Sequence, residues 1–268
     1  MANYLYLPRI QIQGANAMQA PWLLSPAPIM AANMFAHALC LNQDVDVTSL
    51  LYLHHDNQIE GLKNGSEFHA AQRIGASSFG DQKRDYAGAS MSLSTQPSAS
   101  MHLTVSLFFQ IDDDEVDLDE VTRFLHRGRF AGGAIIDHGT PELLSSENEV
   151  VNRAKSGFWL IMRQDLAHNY EGKPDAYAAY LASTAKSEEN NQWLAAACLG
   201  YALLTEPRPK ANSRFDKPHA YAEPLIGAVQ FVSVNQFQEK DTGVFRLPYW
   251  HYASDNQVFR LTQSTITV

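Results

Sequence analysis

The chain has 268 residues, with 20 Lys and Arg against 29 Asp and Glu, for a formal net charge of −9. Hydrophobic residues make up 45% and charged residues 18%, which excludes intrinsic disorder and fits one large domain or two small ones with a self-sufficient core. No apolar run approaches the ~18–20 residues of a membrane span.

The N-terminal stretch MANYLYLPRIQIQG lacks the basic and apolar regions of a signal peptide. Cys40 and Cys198 stand in helix-like apolar contexts without a CxxC partner, and read as reduced buried thiols of a cytoplasmic protein. An acidic chain that binds nucleic acid needs a local basic surface.

Tyr4 to Gln13 reads as the first strand, with apolar Leu5, Leu7, Ile10 and Ile12 and a bulge or exposed edge at Pro8. A loop through Trp22 leads to Pro28, which suits a first helical turn. Met30, Met34, Ala38 and Leu41 follow at helical spacing, with Phe35 and Leu39 as a second i, i+4 pair. A second strand is predicted over Thr48 to Ile59. From Leu62 to Ser100 the pattern dissolves into Gly, Ser, Ala, Gln and scattered charge, and a stretch of this length is functional or disordered. Met101 to Ile111 restores alternation, with Leu103, Val105, Leu107 and Phe109 on one face.

After the acidic run Asp112 to Glu115, Asp117 or Asp119 caps a helix that buries Val121, Phe124 and Leu125 and stops at Gly128. Gly132 to Asp137 enters a fourth strand. Strand, helix, strand, strand, helix, strand predicts an α+β fold of ferredoxin-like or RNA-recognition topology. Downstream, Gly157 to Met162 reads as a strand, and Pro174 opens a helix with Tyr177, Tyr180 and Leu181. Trp193 to Leu204 reads as a second helix, Pro207 to Pro224 as a loop, and Ile226 to Val234 and Val244 to Leu247 as strands. The expected organisation is a domain over 1–165 with an insertion at 62–100, and a partly helical region over 166–268 packed on the same body.

Ten histidines invite a metal or catalytic reading. His54 and His55 are neighbours on a strand, point to opposite faces and do not converge on one ion. There is no HExxH, paired CxxC, calcium-loop spacing, GxSxG elbow, P-loop or GxGxxG, so neither a metal nor a cofactor is expected. Basic residues fall in groups: Arg73, Lys83 and Arg84 near Phe79 and Tyr86; Arg123, Arg127 and Arg129; Arg208, Lys210, Arg214 and Lys217. Cations interleaved with aromatics suit single-stranded RNA, through phosphate pairing and base stacking.

Tyr6 to Ala17 (YLPRIQIQGANA), then Phe35 to Leu39 (FAHAL), His102 to Leu107 (HLTVSL), Arg129 to Ile135 (RFAGGAI) and Ser156 to Phe158 (SGF) together resemble the Cas five subunit of type I-F CRISPR surveillance complexes, the second Csy protein. Gly243 to Arg246 and Tyr249 to Tyr252 resemble it loosely. The resemblance implies an RNA-recognition-like (RAMP) domain with a thumb hairpin inserted between its second and third strands, where the pattern dissolves. It implies a non-catalytic subunit that binds the five-prime handle of crRNA and docks the large PAM-recognition subunit. It further implies contact with the first, Cas seven-type backbone subunit in DNA interference, with target DNA met only indirectly.

On this reading Arg9, Asn16, Arg73, Lys83, Arg84, Arg129, Gly132, Gly133, Trp250 and His251 are the RNA-binding candidates. The two glycines would let main chain approach phosphates. Asp112, Asp113 and Asp114 are the partner-facing candidates. Two alternatives stay open: a metal-independent crRNA-processing endoribonuclease using His69, Lys83 and Tyr86, and a decoy that binds complex subunits without RNA.

Overall fold

The computed structural model describes residues 3–43, 45–65, 67–71, 73–74, 95–96, 98–112, 116–176, 179, 193–212, 217–239, 247–255 and 257–263. Lys83, Arg84, Asp113 and Asp114 lie outside the described residues, as do Phe79, Tyr86, most of the helix expected after Pro174, and the expected strand from Val244 as far as Arg246.

The described elements are β1 (Asn3–Asn16), β2 (Met18–Ala20), β3 (Leu23–Leu24), α1 (Ile29–Gln43), β4 (Val47–Ile59), β5 (Gly61–Asn64), β6 (Glu67–Ala70), β7 (Arg73–Ile74), β8 (Thr95–Gln96) and β9 (Ser100–Ile111). They continue with α2 (Leu118–Arg127), β10 (Arg129–Phe130), β11 (Gly133–Asp137), β12 (Glu142–Leu144), α3 (Glu147–Arg153), β13 (Phe158–Met162) and α4 (Gln164–His168). The last are β14 (Trp193–Leu203), β15 (Ala222–Ser233), α5 (Val234–Glu239), β16 (Trp250–Ser254) and β17 (Val258–Gln263).

The fold is mixed α/β and mostly antiparallel. Four strands lie in the order β11-β1-β9-β4, each antiparallel to its neighbour. β1 is broken where expected. Pro8 offers no N–H, Arg9 takes φ 45°, and the register with β9 slips between Leu7 and Ile10. The break divides the outer edge of β1, so that Tyr4–Tyr6 pair with β12 and Gln11–Gln13 with β11.

Between β4 and β9 the described parts of the insertion are two short antiparallel ladders, β5 with β6 and β7 with β8. Local hydrogen bonding has replaced burial there, and Leu62 and Phe68 are both exposed.

α1 buries Ile29, Met30, Ala32, Phe35, Ala36 and Leu39. The expected stripe of Met34, Ala38 and Leu41 instead faces outward, because the Phe35–Leu39 row is the one that meets the sheet. The Phe35 ring lies 5.1 Å from Phe124 of α2 and 5.5 Å from Phe130 of β10, joining both helices to the strand edge. Burial of such a ring contributes roughly 1.5–3 kcal/mol. Asp117 is the α2 N-cap, and its carboxylate accepts from the Asp119 and Glu120 N–H groups.

The opposite face of the sheet is also covered. Tyr4, Tyr6, Leu51, Phe108 and Trp159 pack beneath Val150 and Ala154, at α3, and Val234, at the start of α5.

β4 shares its second edge. Leu53 and His54 pair with β13, while Leu50 pairs with Trp250 of β16. This closes β4-β13-β15-β14-β17-β16 into a ring, which removes open edges. Trp193–Leu203 is therefore a strand, not a helix, and Cys198 is a buried strand residue. Both faces of β14 are largely buried, so its apolar run carries no alternation. β15 likewise begins four residues earlier than expected, at Ala222, with Pro224 opposite Tyr201.

Candidate nucleic-acid interface

The hairpin β10–β11 turns through Ala131 and Gly132, at φ 48° and 78°. Two positive φ values in a two-residue loop are what a type I′ turn requires. Only Gly132 adopts this without a Cβ penalty. The turn is docked onto the end of β1, where the Asn16 N–H donates to the Ala131 carbonyl at 2.8 Å.

Asn16 holds the next loop as well. Its Oδ1 accepts from the Met18 N–H and its Nδ2 donates to the Met18 carbonyl, both at 3.0 Å. The Gln19 amide donates to the Asn16 carbonyl at 3.2 Å. Arg129 donates from Nη1 to the Gly132 carbonyl at 3.2 Å, which leaves the rest of an exposed guanidinium free to meet an anion.

Two clefts flank this turn. One, of about 530 Å³, is lined by Gly14, Asn16, Gln19, Pro21, Ser98 and Gly132. The other, of about 470 Å³, is lined by Asn16, Met34, Phe124, Arg129, Gly132 and Tyr201. The structure thus gathers Asn16, Arg129 and Gly132 around one exposed turn.

Gly133 has a different role. A Cβ there would stand 2.6 Å from both the Ala15 nitrogen and Ile12 Cγ2. Its missing side chain admits β1 rather than a phosphate.

Arg9 lies apart, roughly 23 Å along β1 at the strand rise. Its N–H donates to Ser106 Oγ at 2.9 Å and its Nη2 to Ser156 Oγ at 3.2 Å. Ser106 Oγ is 2.7 Å from His55 Nε2. Burial, reinforced by Arg9, brings the His55 pKa down to about 4.

Trp250 is not a stacking platform. It is 1% exposed, and its indole N–H donates to the Leu160 carbonyl at 3.0 Å. His251 is half-buried beside Tyr249, with 6.4 Å between ring centroids. Arg73 begins β7, opposite Gln96. Asp112 is exposed where β9 ends, its N–H 3.4 Å from the Asp46 carbonyl.

One residue went unrecognised in the sequence. Trp22, 72% exposed, follows Pro21 in the turn joining β2 and β3, directly beside the first cleft. Its signal was an aromatic set among loop prolines, in QAPWLLSPAP.

Among the described residues no three His, Cys, Asp or Glu side chains converge on a possible metal position, and no helix is long and apolar enough to cross a membrane.

A model of the CRISPR-associated Csy2 proteins matches residues 5–181. The chain belongs to that family. It is accordingly a subunit of the type I-F Csy complex. None of the curated proteins matches the chain. The Csy2 match takes in Asn16, Arg129 and Gly132 and ends before β14, so four of the six strands of the ring lie beyond it.

Proposed function

We propose that this Csy2-family subunit is a non-catalytic, cytoplasmic clamp that holds the five-prime handle of crRNA at the Ala131–Gly132 turn. It docks the large PAM-recognition subunit and the first backbone subunit through other surfaces. The observation that carries the reading is the exposed left-handed turn itself, with Asn16 and Arg129 beside it and a cleft on either side. Such a turn offers unhindered backbone to phosphates, and splayed bases are read by short polar side chains.

The order β11-β1-β9-β4, with α1 and α2 on one face, supports an RNA-recognition-like (ferredoxin-like) reading of this half. The stacked Tyr6–Phe108 pair on the other face is buried, which directs RNA to the turn and the edge rather than across the sheet.

The test is binding of handle RNA to the full chain carrying Arg129→Glu. Loss of a charge-assisted phosphate contact and its replacement by repulsion should weaken binding about tenfold or more. Equal affinity of the unaltered chain for handle and scrambled RNA would overturn the proposal. So would a specific cut of repeat RNA in EDTA, which would restore the endoribonuclease alternative.

A further inference from the structure

β14 and β15 do not stop at the body. Beyond the Leu203–Ala222 pair the chain continues as a two-stranded arm. The Leu204 N–H donates to the Tyr221 carbonyl at 2.8 Å, and Arg208 and His219 exchange both backbone hydrogen bonds, at 2.9 and 2.8 Å. Every described residue from Leu204 to His219 is exposed. Pro207, Pro209 and Pro218 restrict its backbone.

The arm is also out of keeping with the chain's charge. In an acidic protein, the segment from Leu204 to Tyr221 carries Arg208, Lys210, Arg214 and Lys217 against Glu206 and Asp216. Arg208, Lys210 and Lys217 make no ion pair among the described residues. Tyr221, 75% exposed, stands at the arm's base. Tyr201, three residues before the arm on β14, lines the cleft that holds Arg129 and Gly132. A solubilising surface needs charge but not unpaired cations of one sign leading away from a cleft wall with exposed tyrosine rings.

We propose that this arm is a second nucleic-acid contact, taking the phosphodiester backbone of the single strand that leaves the handle cleft. Arg208, Lys210 and Lys217 pair with phosphates, and Tyr201 and Tyr221 offer faces to bases. The inference rests on the handle reading above, but concerns residues beyond the part of the chain that matches the family.

The experiment compares two RNAs on the full chain across a salt series: the handle alone, and the handle with on the order of ten further nucleotides. The unaltered chain should bind the longer RNA more tightly. Arg208→Gln/Lys210→Gln/Lys217→Gln should abolish that gain while leaving handle affinity unchanged. It should also reduce the slope of log K against log salt on the longer RNA by about 2, at ~0.7 per phosphate. Tyr221→Ala should reduce the gain without changing the slope.

Handle binding with no gain on the longer RNA, or an unaltered slope in the triple variant, overturns the arm and spares the handle reading. No binding of either RNA overturns both. An equal loss on a blunt DNA duplex overturns the single-strand assignment. All substituted residues are exposed, so the variants keep the core.

Discussion

The four strands β11-β1-β9-β4 and the ring β4-β13-β15-β14-β17-β16 share one strand, yet they house polar groups in opposite ways. In the first, with the β10 strand that borders it, Asn16, Arg129 and Gly132 sit at strand ends and turns, open to solvent. In the ring, groups of equal chemical promise are turned inward. Trp250 is bonded to the Leu160 carbonyl, Gln230 accepts from Arg163, and His54 packs edge-on to Phe231 and Trp193 at 4.8 and 5.6 Å. Residue type alone therefore does not separate a contact surface from a core. Whether the strand ends there or closes does.

Removing Trp250 should break that contrast most forcefully. Trp250→Ala deletes a fully buried ring and leaves the Leu160 carbonyl with one donor fewer, since Gln263 still donates to it at 3.2 Å. The expected loss is about 3–5 kcal/mol, read from urea midpoints, with handle affinity unchanged under conditions where the variant remains folded. Unchanged stability with weakened RNA binding would return Trp250 to the interface and undo the distinction between the two halves.

Acid acts on the same interior. Burial lowers the His54 pKa to about 4, against the upward pull of its Asn57 partner, with His55 lowering and Asp56 raising it slightly. Both groups at this position, His54 and His55, are thus depressed in the folded chain. The unfolded chain takes up protons near 6.5 and the folded chain only near 4. Stability is fully present above about pH 6.5, declines as the pH falls through that window, and levels off below 4. For His54 the decline is on the order of 3 kcal/mol at most, and it is less for the more accessible His55. Urea midpoints at several pH values should show it, and His54→Asn should flatten the profile. A slope unchanged in His54→Asn would place the ring interior in contact with water.

The same contrast explains what could be read in advance. β9 and β1 were legible because each carries an alternating stretch flanked by a recognisable break, and Pro8 marked the bulge correctly. A cap at Asp117 or Asp119 was legible because a capping carboxylate acts on its own neighbouring N–H groups, and the structure selects Asp117. β14 was not, because Trp193–Leu203 is apolar on both faces and rich in alanine, so only its partners β15 and β17 establish it as a strand. At the candidate interface the residue types in RFAGG were visible in the sequence. The division of labour between Gly132 and Gly133 depends on where β1 lies, and no local pattern encodes that.

That division supplies the finest test of the four-stranded half. Gly133→Ala drives a methyl into the Ala15 backbone and the Ile12 side chain, an overpacking that should cost about 1–3 kcal/mol. Its effect on handle affinity should follow only from the misplaced hairpin. Gly132→Ala meets nothing within 4 Å, so it incurs only the left-handed backbone penalty, roughly 1–2 kcal/mol. It nonetheless sets a methyl on the surface where phosphate would approach, and should weaken handle RNA at least as much as it weakens the fold. Ala131→Gly, at φ 48°, should stabilise the turn and leave RNA binding intact. If Gly132→Ala and Gly133→Ala lowered stability and affinity in the same proportion, the turn would be a structural corner alone, and the open end of this half would be no more functional than the buried interior of the ring.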